Sequence, residues 1–122
     1  MRATGQSEHQ LQAAVAAFLD AALPADCWWS SIDHAGTSAR HGALLKARGV
    51  RPGLPDLVII APAIRLTAWI ELKTRHGRAG PAQLHFATVA MLAGHTWHIC
   101  RSVAEVQAAL VESGVGLRAR LT

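Results

Sequence analysis

The stretch "DLVIIAPAIRLTAWIELK", residues 56 to 73, constrains the fold more than any other part of the chain. Two runs that read as strands, 56 to 61 and 67 to 73, stand on either side of the four-residue connection "PAIR", which suits a β-hairpin. Strand side chains alternate between faces, so Trp69, Glu71 and Lys73 share one face, and Ala68, Ile70 and Leu72 share the other. If Ala61 pairs with Leu66, paired positions sum to 127, and position 56 faces position 71. Asp56 then lies directly across from Glu71, on the face that carries Lys73.

Like charges facing each other across two strands destabilise a sheet. Without Asp56, Glu71 and Lys73 would read as an exposed ion pair worth roughly 0–1 kcal/mol. With Asp56 opposite, that reading is insufficient. Lys73 offsets part of the repulsion, and a divalent cation offsets it far better. Hard oxygen ligands in a partly open site suit Mg²⁺ or Mn²⁺ rather than zinc. The geometry depends on register, because a slip of one residue sends every side chain to the opposite face.

The rest of the chain places this hairpin in a mixed fold. "SEHQLQAAVAAFLDAAL" reads as a helix: Ser7 caps it, Gln10 completes a capping box, and Leu11, Val15, Phe18 and Leu19 recur at helical spacing until Pro24. "WWSSIDH", residues 28 to 34, reads as the first strand. Residues 35 to 53 read as a loop, with one short helical piece around Leu44 and Leu45. Gly80 and Pro81 open a helix that runs to about Leu92, where Gly94 closes it. "HTWHIC", residues 95 to 100, is a last strand, and Ser102 caps a final helix through about Glu112. The predicted order is αβββαβα, an α/β sandwich around a mixed sheet, with residues 1–122 forming one domain.

Charge points to the partner. Twelve Lys and Arg against eight Asp and Glu give +4, and ten of those cations are arginine, whose fork suits phosphate oxygens. From His34 to Pro55 no acid occurs, while Arg40, Lys46, Arg48 and Arg51 do. From Leu72 to Ala104 there is again none, beside Lys73, Arg75, Arg78 and Arg101. Such segments suit a polyanion, with nucleic acid first. Cys27 and Cys100 have no paired spacing and fit free thiols in a cytoplasmic protein. No apolar run approaches the roughly 20 residues of a membrane helix.

Two further polar residues join the hairpin acids. Glu8 precedes Leu11, Val15 and Leu19 on the inward stripe of the first helix, where it also gains from the helix dipole. Gln83, third in its helix, shares a face with Phe86, Ala87 and Ala90 and can either bond the helix start or reach the hairpin site. His95 and His98 fall on opposite strand faces and read as ordinary strand histidines. The four tryptophans read mainly as core.

The ordered set "GLPDLVII", "WIELKT" and "GRAGPAQLHF", preceded by "LKARGVRPG", resembles the small stand-alone proteins of the VRR-NUC family, the virus-type replication-repair nucleases. These belong to the PD-(D/E)XK superfamily, so the resemblance implies a restriction-endonuclease-like core. It also implies that Asp56 and Glu71 bind Mg²⁺ or Mn²⁺ with the Leu72 carbonyl, and that Glu8 binds directly or through water. Lys73 would hold or activate the attacking water, and Gln83 would orient it or a phosphate oxygen. Members of the family often open the Gln83 helix with Ser or Thr, where Gly80-Pro81 stands here.

The expected activity is a metal-dependent endonuclease on DNA, above all branched DNA such as four-way junctions, and the resemblance implies 5′-phosphate and 3′-hydroxyl ends. Arg40, Lys46, Arg48, Arg51, Arg75 and Arg78 would contact the phosphate backbone. Two symmetric cuts by chains with one site each imply a homodimer. The alternative is a DNA-binding module that keeps the fold without turnover, against which the intact Asp56, Glu71 and Lys73 argue.

Overall fold

The structure, a computed structural model, describes residues 6–32 and 39–121, with the backbone alone for 39–41. Its elements in chain order are α1 (Glu8–Ala22), β1 (Trp28–Ser31), α2 (Ala39–Ala47), β2 (Leu57–Ala61), β3 (Leu66–Leu72), α3 (Pro81–Leu92), β4 (Thr96–Cys100) and α4 (Val103–Glu112). Local chemistry accounts for the helix starts. The Ser7 hydroxyl accepts from the Gln10 amide at 3.1 Å, and the Gln10 side chain accepts from the Ser7 amide at 2.9 Å. Ser102 caps α4 the same way, through the amide of Glu105.

The sheet runs β1-β2-β3-β4. The first three strands are antiparallel, whereas β4 returns through α3 and lies parallel to β3. The β2–β3 register is the one expected, from Ala61↔Leu66 to Leu57↔Ile70. A single turn of 3-10 helix, Pro62–Ile64, makes the connection, and Arg65 closes it in the left-handed region at φ 52°.

One face of the sheet carries the core. Leu57, Ile59, Ala68, Ile70 and Leu72 are buried against Leu11, Val15 and Leu19 of α1 and Val106 and Leu110 of α4. The other face is covered over β3 and β4 by α3, where Phe86 meets Trp69 edge-on with ring centroids 4.9 Å apart. Over β1 and β2 that second face stays open: Trp28 is 56% exposed and its cross-strand partner Ile60 40%. Trp28 is therefore not the core residue expected, because no helix among the described residues covers the edge strand on its side. Trp29, pointing the other way, gives its indole N–H to Asp20 of α1 at 2.9 Å.

The observed order is αβαββαβα: the short helical piece expected around Leu44 and Leu45 is a full helix, α2, which the expected order did not count as an element. Ala39, Arg40 and the run Ala43 to Ala47 are strong helix formers, interrupted only by Gly42. The helix closes with Gly49 at φ 93°, where the Gly49 amide bonds the Lys46 carbonyl and the Val50 amide bonds Leu45. Of its described side chains only Leu45 is half-buried, so no apolar stripe marks its extent and periodicity alone could not give its ends. The first strand ends at Ser31, and residues 33 and 34 of the expected strand lie outside the described residues. Among the described residues no helix is long and apolar enough to cross a membrane.

Ile70 is fully buried at the centre of the core face. Ile70→Ala should lower the unfolding free energy by about 2–5 kcal/mol, read by urea denaturation. A loss below about 1 kcal/mol would show that the sheet does not lean on this face.

Candidate functional site

Asp56 stands one residue before β2, where the sheet ends. Its main chain is held by the Ile32 amide, which donates to the Asp56 carbonyl at 2.8 Å and extends the β1–β2 ladder by one rung. Its side-chain Oδ2 accepts from the Leu72 amide at 2.7 Å. A carboxylate thus takes the place of a strand carbonyl at the end of the β2–β3 ladder, and charge strengthens the bond. This ties Asp56 to the strand that bears Glu71.

Glu71 is 2% exposed, the one charged residue buried among those described. Its Oε2 accepts from the Gln83 side-chain amide at 2.8 Å and faces the Lys73 ammonium at 3.2 Å. Its Oε1 is buried with no hydrogen-bond partner. Burial, followed by the charge of Asp56, pushes the Glu71 carboxyl from the ordinary 4.5 up to about 7, against the opposing pull of Lys73. A buried carboxylate oxygen without a donor is costly. The charge of Asp56 acts on this same carboxyl, so two carboxylates meet here, hard oxygen donors of the kind that divalent cations take. The residues present fit Mg²⁺ or Mn²⁺ on that ground.

Gln83 serves two masters at the start of α3. Its Oε1 accepts from the Gly80 amide at 2.8 Å, the reach-back half of a capping box. That bond requires the oxygen on the Gly80 side, which leaves the NH₂ for Glu71. The two readings of Gln83 offered by the sequence are therefore one arrangement. Gly53 brings the segment before Asp56 against the same helix start. It adopts φ 95°, and a Cβ there would overlap the Ala82 carbonyl. Only glycine lets this loop pass so close to α3.

Lys73 follows β3 directly, its amide bonded to the Cys100 carbonyl at 3.1 Å, and its side chain is 18% exposed. The loop 74 to 80 folds over its stem: a Cβ on Gly77 would sit 3.2 Å from the Lys73 Cδ. Arg101 holds that loop in place, giving its Nη1 to the carbonyls of Thr74 and Gly77 at 2.7 Å each. Sequence reasoning counted Arg101 only as one more cation. Its position directly after the last strand, parallel to β3, was the available signal.

The remaining expected residues divide. Glu8 is exposed at the first turn of α1, and among the described residues no three His, Cys, Asp or Glu side chains converge as an ion site, so the structure does not bring it beside Asp56 and Glu71 as a direct ligand. Arg75 and Arg78 line a cavity beside the loop over Lys73. Lys46, Arg48 and Arg51 are exposed on and after α2, whereas the Arg40 side chain lies outside what is described. His95 accepts the Trp69 indole N–H on Nδ1 at 2.9 Å, a structural bond rather than a ligand position.

Solved structures share this architecture. One described as a VRR_NUC domain protein superposes with a TM-score of 0.69 at 21% identity, covering 92% of this chain and 91% of its own. A second, described as a VRR_NUC domain, gives a TM-score of 0.56 at 20% identity, over 86% of this chain and 94% of its own. At such identities the likeness is one of fold, and the mixed sheet with flanking helices expected from the motifs is the VRR_NUC architecture. No family model matches the chain, and no curated protein matches it in sequence.

Because the folded state holds Glu71 near 7 and the unfolded chain near 4.5, folding favours the protonated form. Its stabilising effect is complete below about 4.5 and is lost as pH rises through about 7, at roughly 1.4 kcal/mol per pKa unit. Metal-free protein should therefore melt lower at pH 8 than at pH 5, and Glu71→Gln should flatten that difference. An unchanged slope in the variant would contradict the burial argument. Separately, Gly53→Ala should lower the melting temperature and weaken the Asp56 site, whereas Gly49→Ala should affect stability alone.

Proposed function

We propose that this chain is a Mg²⁺- or Mn²⁺-dependent nuclease of the VRR-NUC kind that hydrolyses phosphodiester bonds in DNA. The observation that carries the reading is the opposed pair Asp56 and Glu71, with the Glu71 Oε1 buried and unpartnered while Lys73 and Gln83 engage its other oxygen. Asp56, Glu71 and the Leu72 carbonyl would hold the cation, and Glu8 would act through water. The bound ion supplies a water of lowered pKa and neutralises charge on the phosphate.

The chain's own residues do the rest. Gln83, pinned by the Gly80 amide, keeps the Glu71 carboxylate turned so that Oε1 faces the site. Lys73 brings a compact positive charge whose stem is already packed under the loop at Gly77, so little reorganisation is needed as negative charge develops on the phosphoryl oxygens. Arg75 and Arg78 continue the positive surface beyond it, and Lys46, Arg48 and Arg51 lie exposed to meet the phosphate backbone. The net charge of +4 favours a polyanion approaching this surface.

The finer reading is cleavage of branched DNA by a homodimer, leaving 5′-phosphate and 3′-hydroxyl ends. Two strands related by twofold symmetry need two sites, and a pair of chains supplies them through one self-complementary patch. Trp28 and Ile60, exposed on the sheet face that carries Glu71, offer apolar area for a second copy.

With Mg²⁺ or Mn²⁺ and a panel of linear, flapped and four-way DNA, wild-type protein should cleave, and EDTA, Asp56→Ala or Glu71→Ala should abolish cleavage. Lys73→Ala should reduce turnover by roughly 100-fold while sparing metal affinity. Cleavage in EDTA, or a fully active Asp56→Ala protein, would refute the mechanism. Binding without cleavage by the wild type would favour a DNA-binding module.

Alanine at Arg40, Lys46, Arg48 and Arg51 together should flatten the salt dependence of DNA binding by about one unit of slope per lost contact. An unchanged slope would leave this segment a solvated surface. Sedimentation should give twice the 13.0 kDa of one chain; a single-chain mass with junction DNA present would refute the dimer.

A further inference from the structure

The loop that covers Lys73 has a second side. Residues 75 to 79, with Leu84 of α3 and Ile99 and Arg101 at the end of β4, line an open cavity of about 470 Å³. That volume lies in the range of small-ligand pockets. Its lining is of two kinds. Arg75, His76, Arg78 and Arg101 surround it, and no acid is among the lining residues. Leu84, 50% exposed, and Ile99 give it an apolar wall.

We infer that this cavity takes one unpaired nucleotide of the substrate, its phosphate on Arg75 and Arg78 and its base against Leu84 and Ile99. The inference rests on the nuclease reading for the ligand being nucleic acid, and goes beyond it by naming the strand state the site accepts. A bare phosphate would use the guanidinium groups and gain nothing from the apolar wall. A continuous duplex turns its phosphates outward and keeps its bases stacked, so it would also leave that wall uncovered. A splayed nucleotide offers both an anion and a flat apolar face, and guanidinium planes stack on bases as well.

The cavity is built before any ligand arrives. Arg101 spends its Nη1 on the carbonyls of Thr74 and Gly77, which fixes the loop as a wall and leaves Arg75 and Arg78 as the exposed cations. Because Gly77 in the same loop touches the Lys73 stem, a nucleotide seated here lies next to the catalytic lysine. Cleavage should then favour DNA that frees a nucleotide from its stack beside the cut, as a flap or an opened branch point does.

Amide chemical-shift titration of the full-length protein with thymidine 5′-monophosphate, thymidine and inorganic phosphate tests this without turnover. The monophosphate should bind about tenfold tighter than either fragment, with shifts at Arg78, Leu84 and Ile99. Arg78→Ala and Leu84→Ser, both at exposed positions, should each weaken it several-fold, with folding checked by circular dichroism. Phosphate binding as tightly as the nucleotide, or shifts away from this cavity, would overturn the assignment. DNA cleavage by the same preparation separates the two claims. Cleavage without nucleotide binding refutes the pocket alone; nucleotide binding without cleavage supports the pocket and refutes the nuclease.

Discussion

The pairing of β2 with β3 in one register sets everything else at the site. The register that buries Leu57, Ile59, Ala68 and Ile70 on one face makes Asp56 and Glu71 meet on the other. Burying each large aliphatic side chain contributes about 1.5–3 kcal/mol, whereas holding Glu71 near 7 costs about 1.4 kcal/mol for each unit above its ordinary value. Several core side chains outweigh one strained carboxylate. A slip that relieved the acids would expose the core, so the hydrophobic face enforces the polar one.

The start of α3 is where the supports of the site converge. Gln83 joins the helix cap to Glu71, and Gly53 lets the segment leading to Asp56 press on the neighbouring Ala82. The following loop is held from the far side by Arg101 and packs on the Lys73 stem. Asp56 is thus held by the backbone of β3, Glu71 by Gln83 of α3, and the Lys73 stem by the loop at Gly77. That is the condition for an electrostatic site that does not reorganise when charge develops.

Much of this was legible in the chain because it obeys short-range rules. The four-residue connection and strict alternation gave the hairpin register, and with it the meeting of Asp56 and Glu71, before any coordinates. Capping residues marked α1, α3 and α4 to within a residue or two of their ends. What stayed hidden depends on distant packing. The extent of helix α2 beyond the piece expected around Leu44 and Leu45 is one such feature, because among its described side chains Leu45 alone is half-buried. The Arg101 clamp links residues 24 and 27 positions apart. Trp28 looked like core because sequence shows that it is large and apolar, not that its side of an edge strand goes uncovered.

Crystals grown with Mn²⁺ test the central claim most directly, by anomalous scattering. Opposed carboxylates that form a cation site predict one strong peak between Asp56 and the Glu71 Oε1, with metal–oxygen distances of about 2.2 Å. Gln83 should still hold the Glu71 Oε2 in that structure. No peak at saturating Mn²⁺, or a peak held by other residues with the Lys73–Glu71 pair unchanged, would contradict the account.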